Sequence, residues 1–300
     1  MWFKNLHVYR LPVGWTIDPA DVSDKLSRRQ LQRCGAFDME SRGWVYPREA
    51  GQFLHGVNGQ YLLALGVDQK LLPASVINQV AKEQAAELAE QQAHPVGRKQ
   101  LREIKERVAE ELLPKAFTRR YTIWAWIDPL HGWLVVDAAG KAKAEALIET
   151  LHKSLDDLPL GLLETQRSPS AAMTDWVAAG EAPAGFTIDQ DLELRAAAEG
   201  NATVRYVRHN LEGKEIQDHI AAGKVATRLA MTWNDRISFV LDEELQIKRL
   251  AFLDILKEQA EGQAEAADEQ FDIDFALMSG ELAHLLADLV AALGGEKAPN

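Results

Sequence analysis

Residues 115–137 read KAFTRRYTIWAWIDPLHGWLVVD, and residues 224–242 read KVATRLAMTWNDRISFVLD. Each begins on a Lys/Arg pair spaced by four, passes a tryptophan, and ends on two apolar residues and an aspartate. In the first, Tyr121–Ile127 and Trp133–Val136 are rich in aromatic and β-branched residues. They flank Asp128-Pro-Leu-His-Gly132, the composition of a hairpin loop. In the second, Val225–Thr232 and Arg236–Leu241 repeat the pattern. Helical stretches are expected after each, at Lys141–Leu155 and at Ile247–Glu258. Two explanations stand side by side: a duplicated strand–strand–helix unit, or chance likeness between two amphipathic hairpins whose gap lengths differ. On either, the fold class is α+β, with antiparallel sheets and packed helices.

The rest of the chain extends that pattern outward. Residues 1–72 form an N-terminal β-rich region, with strands expected at Trp2–Leu11, Gly43–Tyr46 and Gln60–Leu65. Residues 73–113 form a helical arm. Pro73 opens its first helix, Val76, Ile77, Val80 and Leu88 line one face, and His94-Pro-Val-Gly97 breaks it. Leu101, Ile104, Val108 and Leu112 line the second helix, which Pro114 ends. The strand-hairpin plus helix unit occupies 114–160, and a C-terminal α+β region with the second, similar unit occupies 161–300. Within that region the reading places a loop-rich start with a helical turn at Met173–Ala179 and a short helix near Leu192–Glu199. A strand at Thr203–Val207, a helix at Lys214–Ala222, a polar run at Glu261–Glu269 and a closing amphipathic helix at Phe275–Leu293 complete it.

Composition narrows the function. Three hundred residues suit two or three modules. The single cysteine, Cys34, excludes an intramolecular disulfide and reads as a small apolar side chain before it reads as a nucleophile. The N-terminus lacks a signal-peptide core, and Leu282–Leu293 is too short and too interrupted by His284 and Asp288 to span a bilayer. A cytoplasmic location is therefore expected. The net charge of −12 argues against a uniformly basic nucleic-acid binder. Charges farther apart than about 8 Å are largely screened at physiological salt, however, so an acidic exterior and a basic interior surface can coexist.

Catalytic motifs are missing. The chain has no phosphate-binding G-x-x-x-x-G-K-[ST], no G-x-G-x-x-G, no nucleophile elbow and no zinc-ligand spacing. No catalytic residue, metal or cofactor is assigned. Asp272-Ile-Asp274 and Asp189-Gln-Asp191 are weak cation signals, and acids near a helix start account for such pairs as well. Trp124, Trp126 and Trp133 could stack on bases, but their strand pattern favours core packing.

An ordered set of segments resembles the recombination-associated protein RdgC family. It runs through Trp2-Phe3-Lys4-Asn5-Leu6, Val8-Tyr9-Arg10, Gly43-Trp44-Val45, Asn58-Gly59-Gln60 and Leu72-Pro73. It continues through Leu112-Leu113-Pro114-Lys115-Ala116-Phe117, Trp126-Ile127-Asp128, Thr174-Asp175-Trp176-Val177, Gly185-Phe186, His219 to Val225, and Phe271 to Leu282. Lys115 and Ser279 depart mildly from the family pattern, where arginine and threonine are expected. The resemblance implies a horseshoe-shaped protomer that pairs at both ends into a ring dimer with a basic lumen. It implies sequence-nonspecific binding of double-stranded DNA, with single-stranded DNA as a further ligand, and antagonism of RecA by occupying DNA. A nucleoid-associated position within the cytoplasm and no enzymatic activity follow from it.

Two sets of basic residues are candidates for DNA binding: Lys115, Arg119 and Arg120, in a stretch without an acid between Glu111 and Asp128, and Arg205, Arg208, His209, Lys224 and Arg228. They are phosphate-positioning charges on one reading and strand-end charges paired with nearby acids on the other. Phe117 is a candidate dimer contact, or else a core residue of the first strand. Two other functions remain: a scaffold acting directly on a recombination or replication protein, and a metal-dependent nuclease using Asp272, Asp274 and Glu281.

Overall fold

The computed structural model describes residues 1–12, 15–49, 51–196, 202–256 and 266–297. β5 (Thr118–Asp128) and β6 (Trp133–Asp137) form the expected hairpin, with Trp126 opposite Val135 and Trp124 opposite Asp137. Gly132 closes its turn at φ +70°, where a Cβ would come within 2.7 Å of the Leu11 carbonyl oxygen. β10 (Lys224–Trp233) and β11 (Ile237–Asp242) form the second hairpin, with Trp233 opposite Ile237 and Arg228 opposite Asp242.

Each hairpin gains a third antiparallel strand, β1 (Leu6–Arg10) beside β6 and β12 (Ile247–Phe252) beside β11, and these meet at Leu6 and Ile247. Asp137 and Asp242 play matching parts. Asp137 Oδ1 accepts the Lys4 and Asn5 N–H groups at 3.1 and 2.8 Å, and Asp242 Oδ1 accepts those of Glu244 and Gln246 at 3.0 and 2.9 Å. β4 (Gln60–Lys70), β2 (Glu40–Val45) and β3 (Leu54–Val57) extend one end of the sheet. β8 (Phe186–Ala196) and β9 (Thr203–Tyr206) extend the other, and β7 (Gly161–Leu162) pairs with β1. Every pairing between these strands is antiparallel, in one twelve-stranded sheet.

Helices pack on both sides. α5 (Pro169–Ala179), α6 (Lys214–Ala221) and α7 (Ala267–Ala292) cover one side, burying Leu6, Trp126, Leu229, Leu241 and Ile247. α1 (Pro19–Ser27) and α4 (Lys141–Ser154) cover the opposite side of β1–β6, over Leu63, Leu65, Ile123, Ile127 and Val136. Between β4 and β5 the chain leaves the sheet as the expected arm, α2 (Ala74–Gln92) and α3 (Arg98–Leu112), with a small core of Ala81, Ile104 and Val108. The tryptophans read as core are largely so: Trp126 and Trp133 are buried and Trp124 is half-buried.

Two expectations need correction. The segment read as a helix at Leu192–Glu199 is the end of strand β8, as far as it is described; Glu199 lies outside the described residues. Leu and Glu favour helix locally, but pairing with β9 and β10 on both edges overrides that preference. The helix expected at Ile247–Glu258 begins as β12, so the second hairpin continues into a strand and not a helix; residues 257 and 258 lie outside the described residues. Its Ile247 and Leu250 are spaced as on a helix because Arg249 stands at φ +52° between them, so both face the core. Most of the polar run Glu261–Glu269 also lies outside the described residues.

The closing helix, 26 residues, is longer than expected and apolar enough to cross a membrane by length and composition. Phe275, Met278, Leu282, Leu285 and Leu286 are buried against the sheet, so its apolar positions are occupied by the core. Two of its acids are partnered across the core: Asp288 accepts the Trp233 indole N–H at 2.8 Å and Glu281 pairs with Arg236. α1 and β3 were not anticipated, although Asp18-Pro19 is a helix-start signal and Asp18 accepts the Ala20 N–H at 3.0 Å.

Candidate nucleic-acid interface

Strand alternation sorts the candidate cations. On β5, Tyr121, Ile123, Ala125 and Ile127 face the side of α1 and α4, so Arg119 faces that side too and Arg120 faces the other. On β10, Leu229, Met231 and Trp233 pack under α5 and α7, so Arg228 faces away from them. Leu6 and Ile247 are cross-strand partners in the same core, which fixes the sides across the seam. Arg119 and Arg228 therefore share one side of a continuous sheet.

Lys224 does not join Arg228. Pairing moves from Ala226–Leu194 to Arg228–Glu193, leaving Thr227 as an extra residue that flips the phase of β10. Lys224 stays on the helix side, with its Nζ 3.1 Å from Nδ1 of His219 on α6. The two sequence echoes also differ in register. Asp242 faces Arg228, whereas Asp137 faces Trp124, and Arg119 stands farther along β5 opposite Gln69.

Lys115 ends the short 3-10 turn Leu113–Lys115 and is exposed. Arg119 lies over the Tyr121 ring at 5.8 Å from its centroid, and Lys143 of α4 approaches the same ring at 4.4 Å. Neither Lys115 nor Arg119 has an acidic partner among the described residues. Arg120 does: its Nε and Nη2 donate to Asp68 Oδ1 and Oδ2 at 2.7 and 2.8 Å. That hydrogen-bonded guanidinium holds the Asp68 carboxyl below its ordinary range against the opposing effect of burial.

The second set is organised by acids. Arg205, Glu193, Arg228 and Asp242 stand directly opposite one another across β9, β8, β10 and β11, and Lys248 of β12 reaches Asp242 at 2.7 Å. Charges alternate along this row, an arrangement that stabilises neighbouring strands. Arg205 Nε donates to Glu193 Oε2 at 3.0 Å, and Arg228 Nη1 lies 3.6 Å from the same oxygen. Burial raises the Glu193 pKa, but the hydrogen bonds from Arg205 and Thr227 and the nearby guanidinium charges leave it lowered. Arg208 has φ +51° and its N–H donates to Asp191 Oδ1 at 2.9 Å, while His209 Nε2 lies 3.6 Å from Glu215.

Arg120, Arg205 and Arg228 thus sit in ion pairs, and Lys115 and Arg119 make none among the described residues. The sequence does not single out Lys143, Lys248 or Arg249, which the structure brings to the same side of the sheet as Arg119 and Arg228. The first is separated in sequence from the tyrosine it covers, and the other two lay in a segment read as helix.

Phe117 is 84% exposed, which rules out the core position considered for it within this chain. Its carbonyl accepts the Leu71 N–H at 2.7 Å, which sets Phe117 beside Leu71, and the Met39 carbonyl accepts the Lys70 N–H at 2.8 Å at the same corner of the sheet. Met39 and Leu71 are about half exposed.

The acids considered for a metal site are dispersed among separate partners. Asp272 contacts His55 Nε2 at 2.7 Å and Arg48 at 3.3 Å, Asp274 accepts from the N-terminal amine at 2.8 Å, and Glu281 takes a two-point pair from Arg236 at 2.9 and 2.6 Å. No group of three or more potential ligands converges among the described residues.

A family model described as "Putative exonuclease, RdgC" matches residues 1–296. The "Recombination-associated protein RdgC" of Dechloromonas aromatica (strain RCB) is 57% identical over 299 residues, 99% of this chain and 98% of that protein. Proteins of the same description from Janthinobacterium sp. (strain Marseille) and Herminiimonas arsenicoxydans are each 55% identical, over 296 and 298 residues and 99% of both chains. With its full length matched and more than half its residues shared with such relatives, this chain belongs to the RdgC family.

Proposed function

We propose that the protein binds DNA through phosphates, without reading sequence, and acts in homologous recombination by restraining a RecA-type recombinase through occupation of its DNA. The observation that supports this best is the placement of Arg119 and Arg228 on one side of a continuous sheet, with Lys115 and Arg119 making no ion pair with an acid among the described residues. Long cationic side chains on such a surface reach the backbone and carry no base readout. Duplex DNA is the main ligand and single-stranded DNA a second one.

A horseshoe-shaped protomer closing into a two-fold ring around the duplex fits this reading. It needs two self-complementary patches per chain. The exposed corner of Met39, Leu71 and Phe117 supplies one. The protein would then work in the cytoplasm on the nucleoid, with no cofactor and no catalytic step.

The description of the matched family model favours one other reading, a nuclease. In this chain it would require Asp272, Asp274 and Glu281 to exchange their present cationic partners for a metal. Incubation with plasmid and Mg²⁺ or Mn²⁺ distinguishes the two, since protein-dependent nicking or shortening would replace the binding-only account. The proposed function itself is tested by titrating unrelated duplexes and a single strand across a salt series. Affinity should fall linearly on log–log axes and be the same for each duplex. A flat salt response, or strong preference for one sequence, would overturn it.

A further inference from the structure

A cleft of about 230 Å³ opens on the side of β8–β12 that faces away from α5 and α7, lined by Arg205, Arg228, Lys248 and Arg249 against two carboxylates, Asp191 and Glu193. Two of the cations come from β12, in a segment where the sequence suggests a helix. Arg249 adopts φ +52°, a conformation that glycine or asparagine takes at little cost and that an arginine takes only when its surroundings impose it. Those surroundings are visible. Its N–H donates to Asn5 Oδ1 at 3.3 Å, the next residue's N–H donates to the Lys4 carbonyl at 2.8 Å, and its guanidinium lies 3.4 Å from Asp191 Oδ2. The side chain is nonetheless mostly exposed.

Asp191 does a second job. Its other oxygen accepts the N–H of Arg208, which is also in the left-handed region. One carboxylate thus contacts two arginines in the left-handed region, one at its guanidinium and one at its backbone N–H. Glu193 contacts the side chains of both Arg205 and Arg228. A guanidinium offers five donors, so an arginine engaged by one carboxylate oxygen retains donors for a phosphate.

We propose that Lys248 and Arg249, with Arg205 and Arg228, form a binding cleft for the phosphodiester backbone of nucleic acid, in which Asp191 is a positioning residue. The proposal rests on the DNA-binding reading above and adds β12 to the surface that contacts DNA. The cations are held before the ligand arrives, so little side-chain ordering remains to be done on binding.

The test compares wild type with Lys248→Ala, Arg249→Ala and Asp191→Asn, using a mixed-sequence duplex across a NaCl series. Circular dichroism and thermal unfolding control for folding. Lys248→Ala and Arg249→Ala should each weaken binding for all sequences alike and lower the log–log salt slope by about one. Asp191→Asn keeps an acceptor for the Arg208 N–H but loses the charge that holds Arg249, and should weaken binding at unchanged slope. Wild-type slopes and affinities in both alanine variants would overturn the cleft while leaving DNA binding by the protein intact. A wild-type protein that binds no duplex would instead sink the underlying reading.

Discussion

Arg120 and Asp68 face each other across β4 and β5 and close a two-point pair at 2.7 and 2.8 Å, with the carboxylate almost wholly buried and the guanidinium largely in solvent. Its neighbour Arg119 points to the opposite side of the sheet, over the Tyr121 ring, and makes no ion pair among the described residues. Two consecutive arginines therefore have different work, and their variants should separate stability from DNA binding.

Arg120→Ala leaves Asp68 buried without its donor. Because the arginine is well exposed, solvent screening keeps the loss modest, about 1–2 kcal/mol of unfolding free energy. Asp68→Asn should cost a similar amount, and the double variant less than the sum. Urea denaturation of the four proteins measures it. Additive losses would mean that the pair is not coupled.

Phe117→Ala should leave circular dichroism and cooperative unfolding intact while weakening self-association. An aromatic anchor at the centre of an interface is worth about 2 kcal/mol or more, which corresponds to roughly thirtyfold in the dimer dissociation constant. Sedimentation equilibrium reads the shift. A variant that loses its folded spectrum, or one that associates as tightly as wild type, would contradict the assignment of this corner as an interface.

Burial lowers the His7 pKa from its ordinary value of 6.5 and Lys248 adds to the effect, opposed by the backbone at Ala138 and by Asp242 and Glu244. A lowered folded pKa means that the unfolded chain takes up protons first on acidification. Stability should be constant with respect to this group above about pH 7 and fall as pH drops through about 6.5 toward the lowered value. His7→Gln should flatten that part of the profile. Parallel profiles for the two proteins between about pH 5 and 7 would show that His7 contributes nothing there.

The hairpins and the arm were legible because their patterns are local: alternation around Trp126, an i, i+3, i+4 face around Ile104, and prolines at the boundaries. The errors came from residues whose neighbours are distant in sequence. Leu192 and Leu194 are strand residues because β9 and β10 flank them. Ile247 and Leu250 share a face because one left-handed arginine shifts the strand by a residue. At the candidate interface, the sequence singled out Arg119 and Arg228 as candidates but grouped Lys224 with Arg228 by spacing, and the bulge at Thr227 places those two on opposite sides. Which cations are ion-paired was also beyond the sequence, since Asp68 and Glu193 find their arginines through pairing register.

The central claim is that Arg119 and Arg228 contact phosphates from one side of a shared sheet. The most direct measurement is the salt dependence of duplex binding for wild type and for Arg119→Glu combined with Arg228→Glu, with folding and dimerisation checked by circular dichroism and sedimentation. The account predicts a folded, dimeric variant whose binding is sharply weaker for every sequence and whose log–log slope is lower by about two. Wild-type affinity and slope in that variant would contradict it.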